Sequence, residues 1–201
     1  MDILILAMFA TTGIWLLRSA WQRKRIALLG RYLGEYQIEK LMESLTAGYL
    51  RALGESDPER RAQIWNLMAS TEAKLSDQFA SFAADFSKVD AAQARVSTLA
   101  MAIPYADKIF PGATFDLRKL LAIHAQGITR AASDNPDQTA KSRAFTLSAE
   151  LFLMQHSCHW FCKSKTVASA RLLVRHKTPY AQLLTSVAPE TARAYLAVAG
   201  D

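Results

Sequence analysis

With 201 residues, 51% of them hydrophobic and 21% charged, the chain has enough apolar side chains to bury one sizeable core, which excludes a disordered tail. Its net charge of +6 is unevenly placed: residues 1–33 hold five basic side chains against one acidic, residues 34–92 hold six against ten, and basic charge returns towards the C-terminus. Two cysteines are too few for a disulfide scaffold.

The first element is the run ILILAMFATTGIWLL, from Ile3 to Leu17, which carries no charge. As a helix rising about 1.5 Å per residue it spans roughly 22 Å, short of the roughly 30 Å hydrocarbon core of a bilayer. Continuation through Trp21 makes up the difference, with Arg18 snorkelling and Trp15 or Trp21 in the interfacial belt. Residues 1–29 are therefore expected to form a transmembrane anchor, bounded by Trp15, Arg18, Trp21, Arg23, Lys24 and Arg25. A cleaved signal peptide fits poorly, because its positive charges precede the apolar run rather than follow it. A buried N-terminal helix is the other alternative. By the positive-inside rule the basic cluster stays in the cytoplasm. That puts the N-terminus outside and residues 30–201 in the cytoplasm, at the inner (plasma) membrane.

The remainder reads as helices. Ile38, Leu41, Met42, Leu45, Tyr49 and Leu53 recur at three and four, a helical stripe that Gly54 stops. Ser56 or Asp57 is the expected cap of a long helix that begins at Pro58 and carries Ile64, Leu67, Met68, Leu75, Phe79, Phe82 and Phe86. Asp90 is expected to cap a helix through Val96, Leu99 and Ile103, limited by Pro104. Residues 104–114 form the clearest irregular connection. Thr114 is expected to cap a helix through Leu117, Leu120, Leu121, His124 and Ile128. Asp134 or Asn135, with Pro136 in the first turn, opens another running to about residue 165, and short helices follow Thr178 and Ala188. No stretch of four to eight residues alternates apolar with polar as a strand does. The expectation is an all-α domain of six or seven helices behind one anchor helix.

The stretch HSCHWFC, residues 156–162, invites a metal reading. On a helix, Leu147, Leu151, Met154, Cys158, Phe161 and Cys162 fall on one stripe, and free cysteine is among the most buried residue types. Core packing is the leading reading. The alternative is a metal or haem site using Cys158, His159 and Cys162, with His124, His156 or His176 as a further ligand. The order Cys-His-Trp-Phe-Cys matches neither a C-x-x-C zinc knuckle nor the haem-attachment order. No metal or cofactor is expected. His124, beside Leu120 and Leu121, reads as a hydrogen-bonded core histidine.

Lys163, Lys165, Arg171, Arg175 and Lys177 make the penultimate stretch a candidate anionic surface, suited to lipid headgroups or an acidic partner. It lacks aromatic residues for base stacking, so nucleic acid is not an expected partner. Phosphate-binding loops, nucleophile elbows and H-E-x-x-H are absent from the sequence. What remains is a non-catalytic scaffold or interaction subunit of a larger bacterial inner-membrane complex, with other membrane proteins as partners. Exposed Tyr32, Tyr36, Tyr49 and Trp65 are the expected contact aromatics, although Trp65 reads better as core. A membrane-associated lipid-handling enzyme is the further alternative.

Overall fold

A computed structural model describes residues 2–133, 135 and 137–200. The chain is all-α, with one long apolar helix at the N-terminus. Helix α1 (Asp2–Leu33) is unbroken. Among the described residues eight helices follow: α2 (Ile38–Gly54), α3 (Pro58–Phe86), α4 (Ala106–Ile109), α5 (Leu117–Ala132), α6 (Ala140–Cys162), α7 (Lys165–His176), α8 (Tyr180–Ser186) and α9 (Pro189–Ala199). The count exceeds six or seven because α4 is a single turn of four residues.

Local chemistry sets the boundaries. Asp57 accepts from the Glu59 amide with Pro58 in the first turn of α3, as the sequence suggests. Two expected caps are different residues. Asp116, not Thr114, caps α5 by accepting from the Arg118 amide, and Thr139 caps α6 by accepting from the Ser142 amide. The expected caps and first turn at Asp134 and Pro136 lie outside the described residues, and Asn135 accepts instead from the Asp137 amide in a local turn.

The expected helix through Val96, Leu99 and Ile103 is absent. Strand β1 (Arg95–Ser97) pairs antiparallel with β2 (Thr114–Asp116), Val96 opposite Phe115. Three-residue strands are too short for alternation to register, and arginines fasten the ends. Arg95 donates to the Thr114 hydroxyl and carbonyl, and Arg118 grips the Asp116 carboxylate while donating to the Val89 carbonyl. Residues 98–113 leave this ribbon as a long excursion containing α4.

The core lies between α2, α3, α5 and α6, where Leu45, Leu75, Phe79, Phe82, Phe86, Leu120, Leu121, Leu147 and Phe161 are sealed from solvent. Leu53 and Leu67, expected on the core stripes, are exposed, while the neighbouring Ala52 and Met68 take the buried positions on those turns. Gly127 marks a close approach of three helices: a Cβ there would sit 2.5 Å from Glu150 Oε2 and 2.7 Å from Thr191 Oγ1, so only glycine lets α5, α6 and α9 meet.

Helix α1 is long and apolar enough to cross a membrane, with mean hydropathy 1.7 over its most apolar window and none of that window buried. Its second half belongs to the domain. Arg25 and Leu29 are buried, and Tyr32 packs edge-on against Phe86 at 5.5 Å. The boundary drawn between residues 29 and 30 therefore falls inside a continuous helix.

Candidate functional site

The residues of HSCHWFC are drawn into the core by α6, though not as one cluster. His156 is buried, with Nε2 3.0 Å from the Ser169 hydroxyl and its ring stacked on Tyr180 at 4.5 Å. Ser157 donates to the Leu153 carbonyl at 3.1 Å, so its oxygen must accept from His124 Nε2 at 2.8 Å, which places the His124 proton on Nε2. Burial, and secondly the nearby His156, push the His124 pKa down to about 3, so the ring is neutral. The expectation of a hydrogen-bonded core histidine at position 124 describes what the structure contains.

Cys158 and Cys162 are free, half-buried thiols. Burial pushes the Cys158 thiol far above its usual range, and pushes Cys162 up to about 11 against the pull of Arg25, Arg171 and Lys163. Thiols held protonated are poor metal ligands. His159 titrates below the ordinary histidine range because of burial and then the positive charges of Arg171 and Arg175. Among the described residues no three His, Cys, Asp or Glu side chains converge as a metal site would require. Two further buried acids are structural in their contacts. Glu72 receives Arg143 Nε at 3.0 Å and the Tyr49 hydroxyl at 2.7 Å, while Glu150 accepts from the Ala188 amide at 3.1 Å at the start of α9.

One concavity is not disclosed by the sequence. It is a groove of about 320 Å³ between α2, α6 and α8. Tyr49, Trp65 and Phe152 line it, and Leu50, Leu53 and Phe145 stand exposed along it at 67%, 54% and 66%. Lys141 is its one charged lining residue. One lining residue, Tyr49, donates to Glu72, which also receives Arg143, so that wall of the groove is tied to α3 and α6. The only sequence signal was misassigned, since Leu53 was counted as core.

The aromatics expected as a contact surface on the membrane-proximal and acidic helices divide: Tyr49 and Trp65 line the groove, whereas Tyr32 and Tyr36 do not. Tyr49 is buried, and Tyr32, Tyr36 and Trp65 are half-buried in internal contacts: Tyr36 packs against Phe82 and donates to Asp85, and Trp65 lies 5.8 Å from Tyr49. Contact aromatics on a helix face look the same as packing aromatics until the neighbouring helix is placed.

The anchor-boundary residues divide into two sets. Trp15, Arg23 and Lys24 are exposed, and Arg18 is partly exposed. Arg25 is turned into the domain, donating from Nε to the Phe161 carbonyl at 2.6 Å and from Nη2 to the Arg95 carbonyl at 2.7 Å. It is sandwiched between the Trp21 ring at 4.3 Å and the Phe161 ring at 3.9 Å. Its role as a boundary charge facing headgroups is therefore replaced by one inside the chain.

The five basic residues of the C-terminal stretch do not form one flat face either. Lys163 donates to Gln22 at 2.9 Å, and Lys165 lies 5.2 Å from the Trp160 and Tyr180 rings. Helix α7 then runs back along α6 until His176 stacks on Phe152 at 3.7 Å. Arg171, Arg175 and Lys177 follow it away from α1. Comparison with protein-family models, with curated proteins and with solved structures finds no match to this chain.

Proposed function

We propose that this chain is a non-catalytic, single-pass membrane-anchored interaction subunit of a larger bacterial inner-membrane complex, its helical domain held in the cytoplasm. The observation that carries this reading is the combination in one chain of a bare apolar half-helix and an apolar groove. Isolated exposed apolar residues are ordinary, but a lined concavity rimmed by leucines and a phenylalanine is a recognition surface. Arg18, Arg23 and Lys24 following the apolar run supply the orientation argument. The groove suits an apolar helix face of a partner laid between α2 and α6, the mode in which residues one turn apart act as anchors.

The groove also favours a second reading, a site for the acyl chain of a lipid, as a lipid-handling domain requires. One preparation separates the two. The full-length protein is purified from its native source in mild detergent, and native mass spectrometry reads what accompanies it. A stoichiometric membrane protein that is lost on Phe145→Asp supports the interaction reading. A bound lipid mass lost on the same substitution supports the second, and a bare chain overturns both.

A further inference from the structure

We infer that the excursion of residues 98–113 is a second membrane-contacting element, laying Met101, Tyr105, Ile109 and Phe110 on the lipid interface beside α1. The inference rests on the reading of α1 as a membrane span.

The four side chains are 67%, 50%, 59% and 47% exposed, within ten residues of one another and with Lys108 exposed among them. Apolar and aromatic side chains interleaved with a basic one are the composition of a segment lying in an interface. The single carboxylate of the excursion, Asp107, is half-buried on the side of Arg25.

Their height along α1 follows from hydrogen bonds. Phe161 and Arg95 meet α1 at Arg25, and Lys163 meets it at Gln22, nearer the apolar end. As α6 climbs from Phe161 to Lys163 it therefore moves towards the bilayer. The ribbon lies beside this end of α6. Ser97 accepts from Trp160 Nε1 at 2.8 Å, and Ala100 accepts at 2.7 Å from Thr166, which lies beyond Lys163 in the first turn of α7. Residues 98–113 thus leave the domain on its membrane-facing end.

The distances agree. A span of about twenty residues starting at Ile3 ends near Gln22. Arg25 is then about 5 Å further on, within the roughly 5–8 Å headgroup layer. Exposed Arg23 and Lys24 on α1 and Lys108 on the excursion, with Lys163 bonded to Gln22, favour anionic headgroups.

The test uses the full-length chain in vesicles of equimolar phosphatidylcholine and phosphatidylglycerol. An environment-sensitive fluorophore is attached at Ile109→Cys in a Cys158→Ala, Cys162→Ala background, and parallel samples carry it at Phe9→Cys and Phe145→Cys. The expected result is a blue-shifted emission at 109 that loses most of its intensity to lipids spin-labelled near the glycerol, with position 145 unaffected. Quenching at 9 without quenching at 109 overturns the inference and leaves the anchor standing. Absence of quenching at both overturns the anchor and the inference together. Should the cysteine-free background misfold, the unaltered chain is photolysed with a diazirine phospholipid in the same vesicles. Adducts on the peptide containing Met101–Phe110 are expected, and adducts confined to α1 overturn the inference.

Discussion

The guanidinium of Arg25 lies 3.9 Å over the Phe161 ring while its Nε donates to the carbonyl of that same residue at 2.6 Å. One side chain thus holds α6 by ring and backbone together, and its Nη2 holds β1 through Arg95. Arg25→Ala takes the donor from the buried Phe161 carbonyl and the partly buried Arg95 carbonyl, an expected loss of about 3 kcal/mol. Arg25→Lys should recover little, since one ammonium lacks the planar fork that reaches both acceptors. Denaturant unfolding of the detergent-solubilised chain measures the loss. Faster proteolysis between residues 18 and 35 should accompany it.

Stability should fall on acidification because of His124. In the folded chain burial keeps it neutral down to about pH 3, whereas in the unfolded chain it takes a proton below about pH 6.5. The unfolded state therefore binds more protons across that window, and stability present above pH 6.5 is lost at about 1.4 kcal/mol per pH unit as pH falls towards 3. Glu150, its carboxyl raised by burial, acts in the opposite sense, so the decisive comparison is between the native chain and His124→Gln. The substituted chain should show a shallower pH dependence in denaturant titrations, and an unchanged slope refutes the assignment.

Alkylation should be slow at both cysteines. With Cys158 raised strongly and Cys162 raised to about 11 by burial, little thiolate exists at neutral pH. A maleimide or iodoacetamide rate roughly a hundred-fold below that of a free thiol is expected. Denaturant should restore it. Rapid labelling of the folded chain contradicts the packing described for α6.

Gly127→Ala should destabilise the domain by about 2 kcal/mol, because the new methyl meets Glu150 and Thr191 inside van der Waals contact. Ordinary helix propensity predicts a gain of about 1 kcal/mol for the same change at a free helical site. Thermal unfolding therefore separates the two by sign, and a stabilised variant would show that α5 and α9 are free to separate.

Leu50→Asp and Phe145→Asp should leave unfolding within about 0.5 kcal/mol of the native chain, since both side chains already stand in solvent. Loss of a co-purifying partner without loss of stability is the expected signature of a binding groove. A large drop in stability would instead make these residues part of the fold.

The helices were legible where hydrophobic period, cap and proline agreed, as at Asp57, Pro58 and the stripe of α3. His124 was legible too, because a lone histidine between leucines has few uses beyond a buried hydrogen bond. The ribbon was not, since Val96, Leu99 and Ile103 are spaced as a helix would space them and each strand is only three residues long. What decides there is pairing between positions nineteen apart, as Val96 with Phe115, which local pattern does not carry. Arg25 was misread for a related reason: four basic residues after an apolar run look equivalent until one is seen to enter the domain. The groove was invisible because its walls come from helices far apart in sequence, and exposure of Leu50 and Phe145 depends on what each neighbour leaves uncovered.

Helix α1 passes from its bare apolar half to its docked half without a glycine-rich hinge, a proline or a break in its backbone bonding. A tether of loose residues would let a domain swing, but here the apolar half and the docked half share one axis. For a chain anchored through it, tilt of the span becomes tilt of the whole body. A thinner or thicker bilayer, which changes the tilt a helix adopts, would thereby swing the groove through an arc and redirect its opening.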